Sequence, residues 1–526
     1  MSRIQKSLRS LSLAAAVLVS FALFVSPVRA QDSPAQASAA EASSPTTTIQ
    51  GWPSHAHDAQ HSGVSSVAGQ SLNSIHWSVP IDLDPNIQEG EILVHYGSPL
   101  ITPANTVIVP VKTGPNSFRV EAHNGATGAL IWKLNTNYKV PFAGFTPPFS
   151  PVLLGNNLYI PEAGGIVLVR SNPDSAKGTM TRLAFYGLSN YSANPEAYIQ
   201  NVLINTPITA DAQGNIFFGF MANGTTPVPL QSGLARISSA GVGTWISAAA
   251  AANDPNITKV NMACAPALSN DGKHVYVGVD NFDFGYGYLI ILDSTTLKAL
   301  HAVRLKDPES GLDATITDDS SATPTIGPDG DVYYGVLENP FPDHNDRGWL
   351  LHYNSTLSKL KTPGSFGWDD TPSIVPASLV SSYKGTSSYL LMCKYNNYAG
   401  VGTGNGINKI AILDPNATEP DLVFSSVKVM NEVLTITGVT PDPDFPQFPG
   451  AVREWCINAA AVDPVTKAIM ANSEDGYLYR WDLTTNTFSI RIMLSTGIGE
   501  AYTPTEIGPD GTVYAINDAI LDAVGN

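Results

Sequence analysis

The chain has 526 residues, with 28 Lys and Arg against 45 Asp and Glu and a formal charge of −17. A field that negative argues against recognition of nucleic acid or anionic lipid through bulk charge. Charged residues make up only 14%, against about 25% in ordinary soluble proteins. With 44 Gly and 39 Pro long helices have little room, and a turn-rich all-β fold is expected.

Residues 1–30 read as a secretory leader: basic Arg3, Lys6 and Arg9, an apolar run from Leu13 to Val25, and the small-residue site Val28-Arg29-Ala30. Without them 24 basic residues face 45 acidic ones, a balance of −21. No later apolar stretch has the length of a spanning helix, and no Cys follows the leader to carry a lipid. The product is expected to be secreted or periplasmic, soluble, without a membrane anchor, and monomeric. Residues 31–50 are an Ala, Ser, Pro and Thr leader with little to bury, expected to be disordered. Residues 51–526 are expected to form a single domain.

From Gly51 onward one phrase returns. A small residue and a Pro open a strand, an Asp, Asn or Gly turn follows, and a β-branched or aromatic strand comes after. The openings are Ser98-Pro99, Ser150-Pro151, Thr206-Pro207, Ala265-Pro266, Thr323-Pro324, Thr371-Pro372 and Thr503-Pro504, with Asn458-Ala459-Ala460 an eighth that lacks the Pro. Asp271-Gly272, Asp329-Gly330 and Asp510-Gly511 supply the positive φ that a tight hairpin demands. Taken at the Pro, the openings are 52, 56, 59, 58 and 48 residues apart, then 87 to Ala459, then 45. A period near 50 with four short strands per unit is the pattern of a β-propeller. Eight blades are expected, with seven the rival count. Insertions at 395–408 and 440–450 fill the long interval. The last unit is one strand short, and residues 75–81 supply that strand, so the two termini share a blade and leave no open sheet edge.

These phrases resemble the repeats of the PQQ-like, quinoprotein-type β-propeller family. The stretch Trp52-Pro53-Ser54-His55-Ala56-His57-Asp58 is similar to the N-terminal phrase of its secreted members. The resemblance implies the fold over nearly all of residues 51–526. It leaves the activity open, because the family holds dehydrogenases and assembly scaffolds alike. Its alcohol dehydrogenases sandwich the quinone between a Trp and an adjacent Cys-Cys disulfide. Cys264, Cys393 and Cys456 are far apart here and read as buried thiols. That departure makes PQQ doubtful.

The residues before each opening form an uneven ring. His95-Tyr96, Phe149, Asn205 and Asn261 come first, then Asp318, Asp319, Asp369, Asp370, Glu454 and Glu500. Such acids either ligate Ca²⁺ at the channel mouth or cap turns through backbone N–H groups. If they crowd without a cation, at least one pKa rises. His55, His57 and His61 are expected to bond backbone carbonyls in an extended plug, and 342–347 to be a solvated loop. Phe282, Phe284, Tyr395 and Tyr398 stand in polar loops that suit a sugar face or a protein partner. The favoured reading is a binding or scaffold module for a protein or carbohydrate. The alternatives are a PQQ- and Ca²⁺-dependent oxidoreductase of alcohols or sugars, and a carbohydrate-active protein.

Overall fold

The computed structural model describes residues 51–88, 91–92, 96–141, 149–496 and 502–526. The secretory leader, the Ala/Ser/Pro/Thr leader, His95 and Glu500 lie outside the described residues. Among the described residues, apart from a two-stranded ribbon of Ile87–Gln88 and Glu91–Ile92, eight antiparallel sheets follow one another around a ring, so the blade count is eight. The innermost strands are 100–101, 152–154, 209–210, 267–268, 325–326, 373–376, 461–463 and 506–507, each entered through one of the eight openings. In blade 5 the fourth strand is reduced to the bridges Leu350↔Gly364 and Tyr353↔Leu360. The long interval belongs to blade 6 alone, whose third and fourth strands, Lys409–Pro420 and Lys428–Thr437, are bulged and long.

Strand position decides which residues are used. Outer strands such as Thr487–Met493 alternate exposed and half-buried side chains, because one face meets water. Second strands such as Val332–Val336 and Ala468–Asn472 are buried throughout, which calls for continuous Val, Ile, Tyr and Met runs. The core is therefore a series of layers between neighbouring blades. Phe118, Trp132, Leu158 and Ile160 fill the layer between blades 1 and 2, and Leu390, Ile412, Ile469 and Trp481 that between blades 6 and 7. A glycine in the second strand lets side chains cross these layers. A Cβ on Gly278 would stand 2.3 Å from the Tyr334 hydroxyl.

The ring closes as expected. Strand Ser74–Pro80 pairs with the C-terminal strand Ile520–Gly525 and becomes the outer strand of blade 8.

An extended plug threads the lower channel, at the end where the innermost strands finish. It bonds the inner edge of blade after blade. Ile101 and Trp52 exchange two bonds of 2.8 Å, Leu153 donates to Pro53, Leu268 to Ala59, Ile326 to Gln60, Ile374 to Ser62 and Val462 to Gly63. Gln70 then donates to Gly511 of blade 8. These edges would otherwise bury unpaired N–H groups. Gly63, at φ 66, passes so close that a Cβ would lie 2.8 Å from Ala460 O. His61 meets the Pro324 carbonyl at 2.7 Å, as the plug reading expected, whereas His55 meets the Ser98 hydroxyl at 3.0 Å. Burial, and then the neighbouring His61, hold His55 down to about 3, so it stays neutral.

Loop 342–347 is not a solvated loop: only Asp343 in it is exposed, and residues 344–347 are buried. His344, Asp346 and Arg347 are fully buried. His344 stacks on Trp349 at 3.8 Å and reaches Asp421 at 3.2 Å, and Arg347 donates to Ser365 O at 2.9 Å. The charged residues of that loop read as surface in sequence because their partners, Asp421 and Ser365, are remote in the chain.

Candidate functional site

Innermost strands begin and second strands end at the upper end of the channel, so residues before one and after the other meet there. In blade 4 the second strand ends at Asp280, opposite Lys259. The Lys259 ammonium donates to Asp280 Oδ1 and to Asp318 Oδ1, both at 2.7 Å. Burial works to strip its proton, and the two carboxylates outweigh that and hold it charged. The Asp318 N–H donates to Asp283 Oδ1 at 2.8 Å, and the bridge Gly285↔Ile316 pins the 281–285 loop beside it.

Asp319 follows, with 6% of its surface exposed. Burial raises its carboxyl to about 7, and the charges of Asp283, Asp318 and Asp369 add to the rise. Its hydrogen bond among the described residues runs from its own N–H to Thr317 Oγ1 at 3.2 Å; the carboxylate takes none. Asp280 Oδ2 is likewise buried and accepts no hydrogen bond.

Blade 6 continues the arc. Asp369 Oδ1 accepts from the Ser321 N–H at 2.7 Å and its hydroxyl at 2.8 Å, while Oδ2 lies 3.6 Å from the Lys394 ammonium. Burial pushes Asp370 up to about 7 against the pull of Lys394. Lys394 also lies 5.6 Å from the Tyr502 ring. Tyr502 leads into blade 8, so this lysine reaches over the channel. Asn458 of blade 7 ties the same level together, donating to Ser321 Oγ of blade 5 at 2.8 Å and to Thr371 Oγ1 of blade 6 at 3.2 Å.

Glu454 stands apart, in a different company. Its N–H donates to Glu474 Oε1 at 3.1 Å, and the Cys456 thiol donates to Glu474 Oε2 at 3.3 Å. Ligand atoms of Glu454, Cys456 and Glu474 lie within 4.8 Å of one another. The structure thus brings Asp318, Asp319, Asp369 and Asp370 into one arc and places Glu454 in a neighbouring cluster. Turn capping accounts for Asp369 and Asp283, but not for Asp319.

Of the four aromatic candidates, Phe282 is 60% exposed and Phe284 half-buried. Tyr395 and Tyr398 are interior, 1% and 2% exposed. Tyr395 lies under the Arg347 guanidinium at 4.5 Å and the Lys409 ammonium at 5.1 Å. Tyr398 accepts from Asn396 Nδ2 at 3.3 Å, and burial raises its phenol. Both rings lie 6.3 Å from the Phe366 ring of blade 5, and the adjoining Ala399 shares a small core with Phe445 and Ala451 of the second insertion.

Lys259, Asp280, Asp283, Lys394 and Glu474 were missed as site residues. A signal for three of them stands in the sequence: a charge lies within two residues of the end of the second strand in Val279-Asp280, Cys393-Lys394 and Ser473-Glu474. A charge at the close of an apolar run points out of the sheet end, here toward the channel mouth.

Calcium takes six to eight oxygens at about 2.3–2.6 Å. Here ammonium groups hold the places between Asp280 and Asp318 and beside Asp369, so the arc is not an all-oxygen cage. A quinone sandwich on an adjacent Cys pair has no counterpart, since the three cysteines are separate buried thiols. The described residues do not fit that pair of cofactors in that mode.

No family model matches the chain and no curated protein matches it. Solved structures do. A europium-containing methanol dehydrogenase is similar at a TM-score of 0.54 and 9% identity, over 89% of this chain and 90% of that one. A quinohemoprotein alcohol dehydrogenase from Comamonas testosteroni gives 0.49 and 12%, over 90% and 77%. Saccharomyces cerevisiae Sqt1 gives 0.49 and 11%, over 88% and 100%. The likeness is one of fold. The chain is an eight-bladed β-propeller in architecture, and its chemistry has to be argued from the mouth itself.

Proposed function

We propose that the chain is an exported, soluble binding module that receives a small polar ligand at the upper channel end, with the plugged ring as a rigid holder. The observation that carries this reading is the Asp319 carboxylate, nine-tenths buried yet taking no hydrogen bond from any described residue. Uncompensated buried polar groups cost stability, and a ligand that donates to them recovers it. A ring of short strands stapled at its lower end keeps such groups fixed.

The test is thermal stabilisation of the purified full chain by a panel of probes: a neutral hexose, a diamine, CaCl2, and PQQ with CaCl2. Binding raises Tm with ligand concentration. Stabilisation by one of the first three probes, lost in Asp319→Asn, is the expected result. A quinone absorbance that persists after gel filtration, with dye reduction by alcohols or sugars, would replace this reading by the oxidoreductase one. No shift with any probe would reject a small-molecule site at the mouth.

A further inference from the structure

The acid arc and the aromatic loop, separate in sequence, are joined in space. Asp283 sits between Phe282 and Phe284 and accepts the Asp318 N–H at 2.8 Å. Four carboxylates therefore gather at the junction of blades 4 and 5, those of Asp280, Asp283, Asp318 and Asp319. Among the described residues Lys259 is the single cation bonded to them. One ammonium against four acids leaves negative charge in excess, and the next acid along the arc, Asp369, is already matched with Lys394. Two of the acceptors in this group are unused. Asp319 is 6% exposed and its carboxylate takes no hydrogen bond from any described residue, and the buried Oδ2 of Asp280 takes none either among the described residues.

Acceptors without donors call for a ligand that donates and is positive. Lys259 shows what suits them, since a primary ammonium bonds two of these carboxylates at 2.7 Å. A divalent metal placed here would face that ammonium across shared oxygens, whereas a second monovalent group meets half the repulsion. Phe282, beside Asp283 and 60% exposed, adds a ring face of the kind that attracts alkylated ammonium groups. We infer that the upper mouth at Asp280, Asp283, Asp318, Asp319 and Phe282 binds an organic cation, a ligand carrying a primary or alkylated ammonium group. This rests on the binding-module reading and names the ligand class for that site.

Isothermal titration of the full chain at pH 8 uses 1,4-diaminobutane and choline as probes, with CaCl2 and glucose as the contrasting ones. The expected result is heat with one or both organic cations, weakened about tenfold in Asp319→Asn as a charge-assisted bond is lost, and restored in part by Asp319→Glu. Phe282→Ala weakens choline more than the diamine. Binding also falls as pH drops below about 7, where Asp319 takes up a proton. The groups facing it in that titration are Asp280, Asp283, Asp318 and Asp369, with Lys259 and Lys394 behind them. Glucose or CaCl2 binding in an Asp319-dependent way, with no response to either organic cation, overturns the cation inference and leaves the mouth as a binding site. Silence from all four probes overturns both. Unchanged cation affinity in Asp319→Asn, with intact melting, places any binding elsewhere and also overturns the inference.

Discussion

The two ends of the channel solve the burial of polar groups in opposite ways. At the lower end the plug supplies its own partners. Backbone meets backbone from Trp52 to Gln70, burial lowers His55 and His61, and Asp58 is wrapped by its own loop. Asp58 accepts the N–H groups of Gln60 and Ser62 at 3.1 and 3.0 Å. Burial pushes its carboxyl up, but His57 and Ser62 outweigh that and hold it at about 2. At the upper end the buried groups are charged, their partners are side chains from other blades, and some carboxylates have none. The lower end is built for stability. The upper end gives up stability to keep charge in place, which is the usual mark of a site that meets a ligand.

Deleting residues 51–70 tests the first half of that contrast and is expected to have the largest effect. Trp52→Ala alone is expected to cost about 3–5 kcal/mol, because Trp52 is fully buried. The full deletion also strips the inner-edge bonds of seven blades, so it should lower the urea midpoint further still or abolish the cooperative transition. A plug-deleted chain that melts like the intact one would break the comparison.

Lys259→Met is next in size. It leaves the buried Asp280 without its cation, which is expected to cost about 3–5 kcal/mol in urea unfolding. The double variant Lys259→Met with Asp280→Asn should recover much of the loss. A recovery of zero would show that Lys259 matters through packing and not through charge.

The smallest effect is a pH slope. Asp319 has a folded pKa of about 7, raised from 3.8, so between those values the folded state holds a proton that the unfolded state has released. Stability therefore falls as pH rises through that window. Asp370 contributes in the same sense. Asp58, held at about 2, acts the other way, and its contribution is lost only as pH falls below 4. Asp319→Asn should flatten the decline of Tm between pH 4 and 7 and leave the acid limb unchanged, measured by scanning calorimetry.

The fold was legible because each blade repeats local rules. A Pro has no N–H to give and suits the point where a strand begins; Asp-Gly suits the hairpin that follows. The eight openings predict all eight innermost strands, including the one at Asn458 that has lost its Pro. The acids before the openings were legible for the same reason, since the openings fix where the channel mouth lies. Their partners were not. Lys259 and Lys394 act on carboxylates that topology brings to them: the place of Lys394 near a strand end points to the channel mouth, and nothing local names Asp369 as its partner. Tyr395 and Tyr398 failed for a related reason. A Gly- and Asn-rich stretch reads as an exposed loop, and elements remote in the chain cover it: Asn345 and Phe366 of blade 5 and Phe445 of the second insertion.

Blade 8 joins Ser78 to Asp522, 444 residues apart, through a side-chain hydrogen bond across its outer strands. The outer strand of this blade emerges first and its inner strands last. A chain made from its N-terminus thus carries an unmatched strand until residues 520–525 follow. Seven sheets can be assembled while the ring is still a crescent. A nascent or truncated product lacking even the last dozen residues keeps a free edge at both horns of that crescent, a ready template for a second copy. The closing strand thereby makes the pairing of 74–80 with 520–525 a condition for hiding both edges.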